Sequence, residues 1–222
     1  NLNSWEEVAE YNFDFSIVSS PSSLHLKHIE KLSEYNLPVF VEKPLCVSRS
    51  ELKKINVDKF HMMTYVGLNM RFHPLIIYLK NFLNNSDFKI YEINAYHGSY
   101  MPSWRPGNHK KKYSSNNDLG GGVHIDLIHE PDLLHFLFGL PKKIFKSFRK
   151  VSNITIDSID SAKLIFEYED FSATITLNYF RKDKKQILEI VTDKNTLEVD
   201  FVKGSITDLH VNKKLLQLKG DL

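Results

Sequence analysis

A chain of 222 residues, 42% hydrophobic and 25% charged, has the composition of a folded globular protein, with room for one large domain or one and a half ordinary ones. Its net charge of +2, with a pI near 8.4, gives no electrostatic case for nucleic acid as a partner. The single cysteine, Cys46, excludes an intrachain disulfide, and no apolar run approaches the roughly 20 residues of a membrane helix.

Residues 1–7 are polar and acidic and lack the layout of a signal peptide. A cytoplasmic location, with no membrane partner, is therefore the expectation. Ser4 reads as the N-cap of a short helix over 4–10, with Glu6 and Glu7 in the first turn, where the helix dipole favours carboxylates. Residues 14–19 form a short apolar strand ending in Ser-Ser-Pro. An amphipathic helix over 23–35 follows, with Leu24, Ile29 and Leu32 on or near one face. A second buried strand, 38–41, runs straight into Glu42-Lys43-Pro44. Ser48 or Ser50 then caps another helix, and 61–66 is a third strand. Strand, helix, strand, helix, strand is the order of a parallel sheet with helices on its faces.

After Val66 the pattern changes. Residues 69–84 read as a helix, 88–96 as a strand and 99–118 as a loop, and Gly120-Gly121-Gly122 opens an apolar helix that ends near Gly139. Short alternating strands follow at 144–151, 161–169, 171–179, 186–192, 196–201 and 205–211. The basic runs Lys110-Lys111-Lys112 and 182–185 read as solvated loops. The fold class is thus α/β plus α+β: a parallel-sheet unit over 1–66, then a mostly antiparallel open sheet over 67–222 with helices on one face.

Four blocks carry a family resemblance: Ile17-Val18-Ser19-Ser20-Pro21-Ser22-Ser23-Leu24-His25, Val39-Phe40-Val41-Glu42-Lys43-Pro44-Leu45, Gly67-Leu68-Asn69-Met70-Arg71-Phe72-His73-Pro74, and Gly120-Gly121-Gly122-Val123-His124-Ile125-Asp126-Leu127-Ile128-His129. In combination they resemble the Gfo/Idh/MocA oxidoreductases. The resemblance implies a Rossmann nucleotide-binding unit over 1–66, a substrate-binding and oligomerisation domain over 67–222, NAD or NADP as cofactor, a sugar substrate, and a homo-oligomer formed through the exposed sheet face. It departs from the family in two ways. The Gly-x-Gly-x-x-Gly turn that holds the dinucleotide phosphates is absent, and the family's closing helices do not follow Leu222. The chain therefore reads as the middle and later part of a longer protein, inactive by itself.

The resemblance makes Lys43 the proton-handling residue. A base must reach the hydroxyl whose carbon gives up hydride. A lysine at a strand end of an open α/β sheet lies where such sheets bind ligands, and burial or neighbouring cations can lower it towards neutrality. Glu42 resembles the contact to the nicotinamide ribose, with a plain surface carboxylate as the alternative. Pro21 and His25 match the wall of the nucleotide cleft, although His25 could instead pack against its own helix. Arg71, and more weakly Asn69, match substrate contacts; an ion pair within the domain explains Arg71 almost as well.

Asp126 and His129, three apart on one helix, would share a face, with the carboxylate orienting the imidazole as a proton shuttle. The commoner family spacing falls on Glu130, so the histidine role goes to His129 with Glu130 as second choice, and Pro131 starts or kinks the helix there. The run Asp-Leu-Ile-His-Glu-Pro-Asp and the loop Trp104-Arg105-Pro106-Gly107 resemble a subgroup of bacterial surface-polysaccharide enzymes. In that reading Trp104 stacks on sugar, Arg105 bonds it, and Tyr100 and Tyr179 line the same pocket. His124, Asp126, His129, Glu130, Asp132 and His135 crowd together, but the zinc-protease pattern needs two histidines four apart, and no metal site is expected. The competing reading is a non-catalytic sugar-binding or interaction module derived from such an enzyme; a nicotinamide-using glycoside hydrolase is a weaker third.

Overall fold

The structure, a computed structural model, describes residues 4–54 and 63–219. Three short strands, β1 (Ser16–Val18), β2 (Val39–Val41) and β3 (Thr64–Val66), form a parallel sheet in that order. The expected start of the third strand at His61 and Met62 lies outside the described residues. The helix α1 (His25–Ser33) joins β1 to β2 and α2 (Arg49–Lys54) follows β2. Ser48 is the cap of α2, its hydroxyl accepting from the Glu51 amide at 3.2 Å. Ile29 and Leu32 of α1 bury against Val18, Val39 and Val41, and these side chains make the small core of this unit. Among the described residues nothing covers the opposite sheet face: Phe15, Ile17, Phe40 and Tyr65 are exposed around an apolar hollow of about 460 Å³. The helix expected over 4–10 is a 3-10 turn at Glu6–Glu10 without a side-chain cap from Ser4.

The expected helix over 69–84 is divided. A 3-10 turn (Asn69–Phe72) ends at His73, and α3 (Pro74–Asn84) starts with proline in its first turn, where the missing amide costs nothing. The rest is an eight-stranded sheet of β4 (Ile90–Tyr100), β5 (Lys143–Arg149), β6 (Ser161–Glu167), β7 (Ser172–Asn178), β8 (Phe180–Thr192), β9 (Thr196–Asp200), β10 (Ser205–Asp208) and β11 (Lys213–Gln217). Their spatial order is β11-β10-β9-β8-β4-β7-β6-β5, and only the β4–β7 pair is parallel. Ile93, Ile175, Leu188, Ile190 and Val199 point to the face that packs Leu75, Ile76 and Leu79 of α3 and Leu133 and Leu134 of the helix that follows the glycines. The expected one-sided sheet is present. Two details differ: β11 was not foreseen, and residues 182–185, expected as a loop, belong to β8.

Candidate functional site

The amide of Glu42 donates to the Val18 carbonyl at 2.9 Å, so β1 and β2 end side by side and their following turns diverge from one edge. His25, buried at the head of α1, fixes that edge. Its Nδ1 lies 2.7 Å from the Pro44 carbonyl and its Nε2 2.8 Å from that of Ser20, joining the two turns. Beyond the strand ends opens a cavity of about 470 Å³, walled by Ser19 to Ser22, His25, Glu42, Lys43, Arg105 and Tyr113. This is the carboxyl end of a parallel sheet, where open α/β folds hold ligands. Pro21, His25, Glu42 and Lys43 thus line one cavity; Arg105, expected beside Trp104 and Tyr100, joins them there, and the imidazole of His25 is fully engaged with main chain.

The glycines bring the opposite wall close. A side chain on Gly121 would come within 2.3 Å of the Tyr113 carbonyl, and Gly122 has φ of 132°, a conformation that favours glycine. From this turn α4 (Val123–Asp126) delivers its last carbonyl to Lys43, whose ammonium donates to the Asp126 main-chain oxygen at 2.5 Å. Burial lowers the pKa of Lys43 from its ordinary 10.5, opposed by the nearby carboxylates of Asp126, Glu42 and Glu130.

The single helix expected after the glycines is broken at Leu127 (φ −98°, ψ 38°), and α5 (His129–Phe138) begins anew with Pro131 in its first turn. Asp126 and His129 therefore do not share a helix face, and the expected carboxylate–imidazole pair is absent. The carboxylate of Asp126 instead accepts from the Tyr179 hydroxyl, with Tyr113 nearby; burial, then Asp126, raises both tyrosines. Tyr179 is wholly buried, so it supports Asp126 and is not the pocket-lining residue expected from the sequence. Nδ1 of His129 is buried without a partner among the described residues. Burial, followed by the charge of Lys43, lowers this imidazole below its ordinary 6.5. The alternative, Glu130, is turned onto the sheet, accepting from Gln186 Nε2 at 2.9 Å and meeting His97 Nδ1 at 2.7 Å.

Arg71 adopts its ion-pair alternative. Its fork meets Asp132 twice, Nε to Oδ2 at 2.9 Å and Nη2 to Oδ1 at 2.5 Å, and its guanidinium lies over Phe136. Asn69 is exposed at the start of its turn. Trp104 donates to Ser99 Oγ at 2.9 Å, packs edge-on against Tyr179 and lines a second cavity with Tyr100. Tyr113, His97, Ser19 and Ser22 were not singled out by sequence. Tyr113, one of the chain's ten tyrosines, lies in a polar loop and carries no local signal, whereas the serines lie inside the first resemblance block. Among the described residues no three His, Cys, Asp or Glu side chains converge as a metal site, and no helix is long and apolar enough to cross a membrane.

Residues 89–207 match the GFO/IDH/MocA C-terminal domain, and residues 1–57 match the NAD-binding Rossmann fold of the oxidoreductase family. The chain is similar to scyllo-inositol 2-dehydrogenase (NAD(+)) of Bacillus subtilis, 29% identical over 138 residues, which are 61% of this chain and 38% of that protein. In fold it is similar to an inositol dehydrogenase homolog from Azotobacter vinelandii solved with NAD+ (TM-score 0.81, 18% identity, 96% of this chain and 59% of that one). It is also similar to the WlbA dehydrogenase of Bordetella pertussis solved with NADH and UDP-GlcNAcA (TM-score 0.75, 18% identity, 88% and 57%). The chain spans less than half the length of the curated relatives it matches.

Proposed function

Because this chain belongs to the Gfo/Idh/MocA family of oxidoreductases, we propose that the whole protein oxidises or reduces a hydroxyl-bearing carbon of a sugar or sugar derivative with NAD or NADP. Residues 1–66 contribute the later part of the nucleotide-binding unit, and 67–222 the substrate side. The observation that carries the reading is Lys43: a half-buried amine at the sheet's carboxyl edge, lowered by burial, anchored to a carbonyl and facing a cavity of about 470 Å³.

The serine turn and Glu42 fit the nicotinamide end of a dinucleotide, offering hydroxyls and a carboxylate at the strand ends; Gly-x-Gly-x-x-Gly is absent from the sequence. When bound, that cofactor supplies the hydride acceptor or donor. Lys43 takes the hydroxyl proton when the alcohol is oxidised and returns it in the reverse direction. His129, lowered by burial and by Lys43, is the second proton carrier. Tyr179 holds the Asp126 side chain, and the Asp126 main chain in turn holds Lys43. Arg105 on the same wall binds substrate oxygens.

The sugar belongs to surface-polysaccharide assembly in this reading, supported by the His-Glu-Pro-Asp and Trp-Arg-Pro-Gly runs. The uncovered face of the eight-stranded sheet serves subunit association. A fluorescence titration of the full-length protein with NADH tests the proposal. Saturable binding below millimolar cofactor is expected, and no binding at that concentration overturns it.

A further inference from the structure

A cavity of about 400 Å³ lies next to the Lys43 cleft, lined by His97, Ser99, Tyr100, Trp104, Lys182 and Lys184 among others. Trp104 lines it while its neighbour Arg105 lines the cleft, so one ligand could reach both. No hydride chemistry requires this second space, yet its walls are specific. His97 is held by a carboxylate that is itself buried: Glu130, 5% exposed, sits 2.7 Å from Nδ1 and is fixed by Gln186. That leaves Nε2 as the ring's remaining polar atom. Trp104 has committed its indole N–H to Ser99, so it offers the cavity only an aromatic surface.

The cations are uncompensated. No aspartate or glutamate lines the cavity, and among the described residues no carboxylate lies within ion-pair distance of Lys182 or Lys184. Asp183, between them in sequence, is turned to Arg181 at 2.5 Å. The ammonium of Lys182 rests over the Tyr100 ring, 3.1 Å from its centre, which holds it at the cavity without neutralising it. Two lysines, an imidazole and an indole face, with no acidic group, suit a sugar that carries a phosphate ester or carboxylate.

We propose that this second cavity binds the anionic group of the substrate, with the sugar ring against Trp104 and the reacting carbon towards Lys43. The substrate class is thus an acidic sugar or a nucleotide sugar, an inference that rests on the oxidoreductase reading for the position of the reacting carbon.

The test uses Trp104 fluorescence in the full-length protein, assigned by its loss in Trp104→Phe, during titration with uridine diphosphate, glucuronate and glucose. At least one anion is expected to bind roughly tenfold or more tighter than glucose, and the Lys182→Gln/Lys184→Gln double variant to lose about that factor. Response to uridine diphosphate alone assigns the phosphate source, and response to glucuronate alone the carboxylate source. Equal affinity for glucose and both anions, or unchanged anion binding in the double variant, overturns the proposal. NADH binding is measured on the same samples. Its absence from the wild type counts against the oxidoreductase reading alone, since anion binding is read without cofactor.

Discussion

The ammonium of Lys43 donates to the main-chain carbonyl of Asp126 at 2.5 Å, across 83 positions of sequence. A carbonyl orients an amine without neutralising it, whereas a carboxylate there would stabilise the charged form more strongly. The Asp126 side chain accepts from Tyr179 instead, so its charge acts on Lys43 through space and only partly offsets burial. Lys43 is thereby fixed in place while burial still lowers it.

Replacing Lys43 by alanine in the full-length protein is expected to lower turnover by about 10²–10⁴-fold, the usual contribution of a positioned proton acceptor. NADH affinity should change little. Steady-state rates set beside a fluorescence titration separate the two quantities, and equal losses in both would assign Lys43 to binding.

The acid limb of kcat/KM should report Lys43 as the base. Its pKa is lowered from 10.5 by burial, so the rate is expected to rise with pH and level off below the ordinary lysine value. A residual rate in Lys43→Arg should lack this limb, because arginine does not titrate in the range. A limb of unchanged position in that variant would identify another group.

Stability should fall on acidification partly through His129. Its folded-state pKa lies below 6.5, so between that lowered value and 6.5 the unfolded chain binds a proton that the native chain refuses. Stability contributed by this group is therefore complete above 6.5 and lost as pH falls through the window. His28, His73 and His124 are also lowered by burial, so the useful measurement is a difference. Urea midpoints at two pH values either side of 6.5 should move less in His129→Gln than in the wild type.

Tyr179→Phe removes a hydrogen bond to a buried carboxylate and is expected to cost about 1–3 kcal/mol in urea unfolding. Turnover should fall as well, because Asp126 loses the hydroxyl that holds its carboxylate. A loss of stability with undiminished turnover would show that the tyrosine supports the core alone.

Arg71→Ala should act on stability. Its partner Asp132 is nearly buried while Arg71 is partly exposed, so a cost of about 1–2 kcal/mol is expected, discounted for solvent screening. The KM for the sugar should stay within about twofold, a change too small to represent a lost charged contact. A double-mutant cycle with Asp132→Ala measures the pair, and a large rise in KM would return Arg71 to the substrate.

Much of the site's first wall was legible because its signals are local. A buried strand running into Glu42-Lys43-Pro44 sets the lysine at a sheet edge, and Gly120 to Gly122 mark a turn that other side chains would obstruct. The break at Leu127 was marked only indirectly: Asp-Leu-Ile-His contains neither proline nor glycine, but Pro131 asks for a helix start or kink beside it, and α5 begins at His129. The contacts there are long-range: Asp126 reaches Tyr179, and Glu130 reaches His97 and Gln186. The run at 182–185 is a mixed case. It lies within the bounds of β8, but only Lys185 pairs with β4, opposite Gly98, while 182–184 fall at the irregularity between Gly98 and Tyr100. All four residues are exposed, as their unalternating charge suggests.

The cleft is built between two cores of very different size. Val18, Ile29, Leu32, Val39 and Val41 hold the lysine's sheet, whose other face is bare among the described residues, while α3, α5 and eight strands share a far larger interior. Segments with few buried contacts open at lower free energy than the whole molecule does. On warming this chain, Lys43 should leave its place while the larger sheet still stands. Opening of the cleft would then precede melting of the larger sheet, and a sample could keep its circular dichroism after the cleft has come apart.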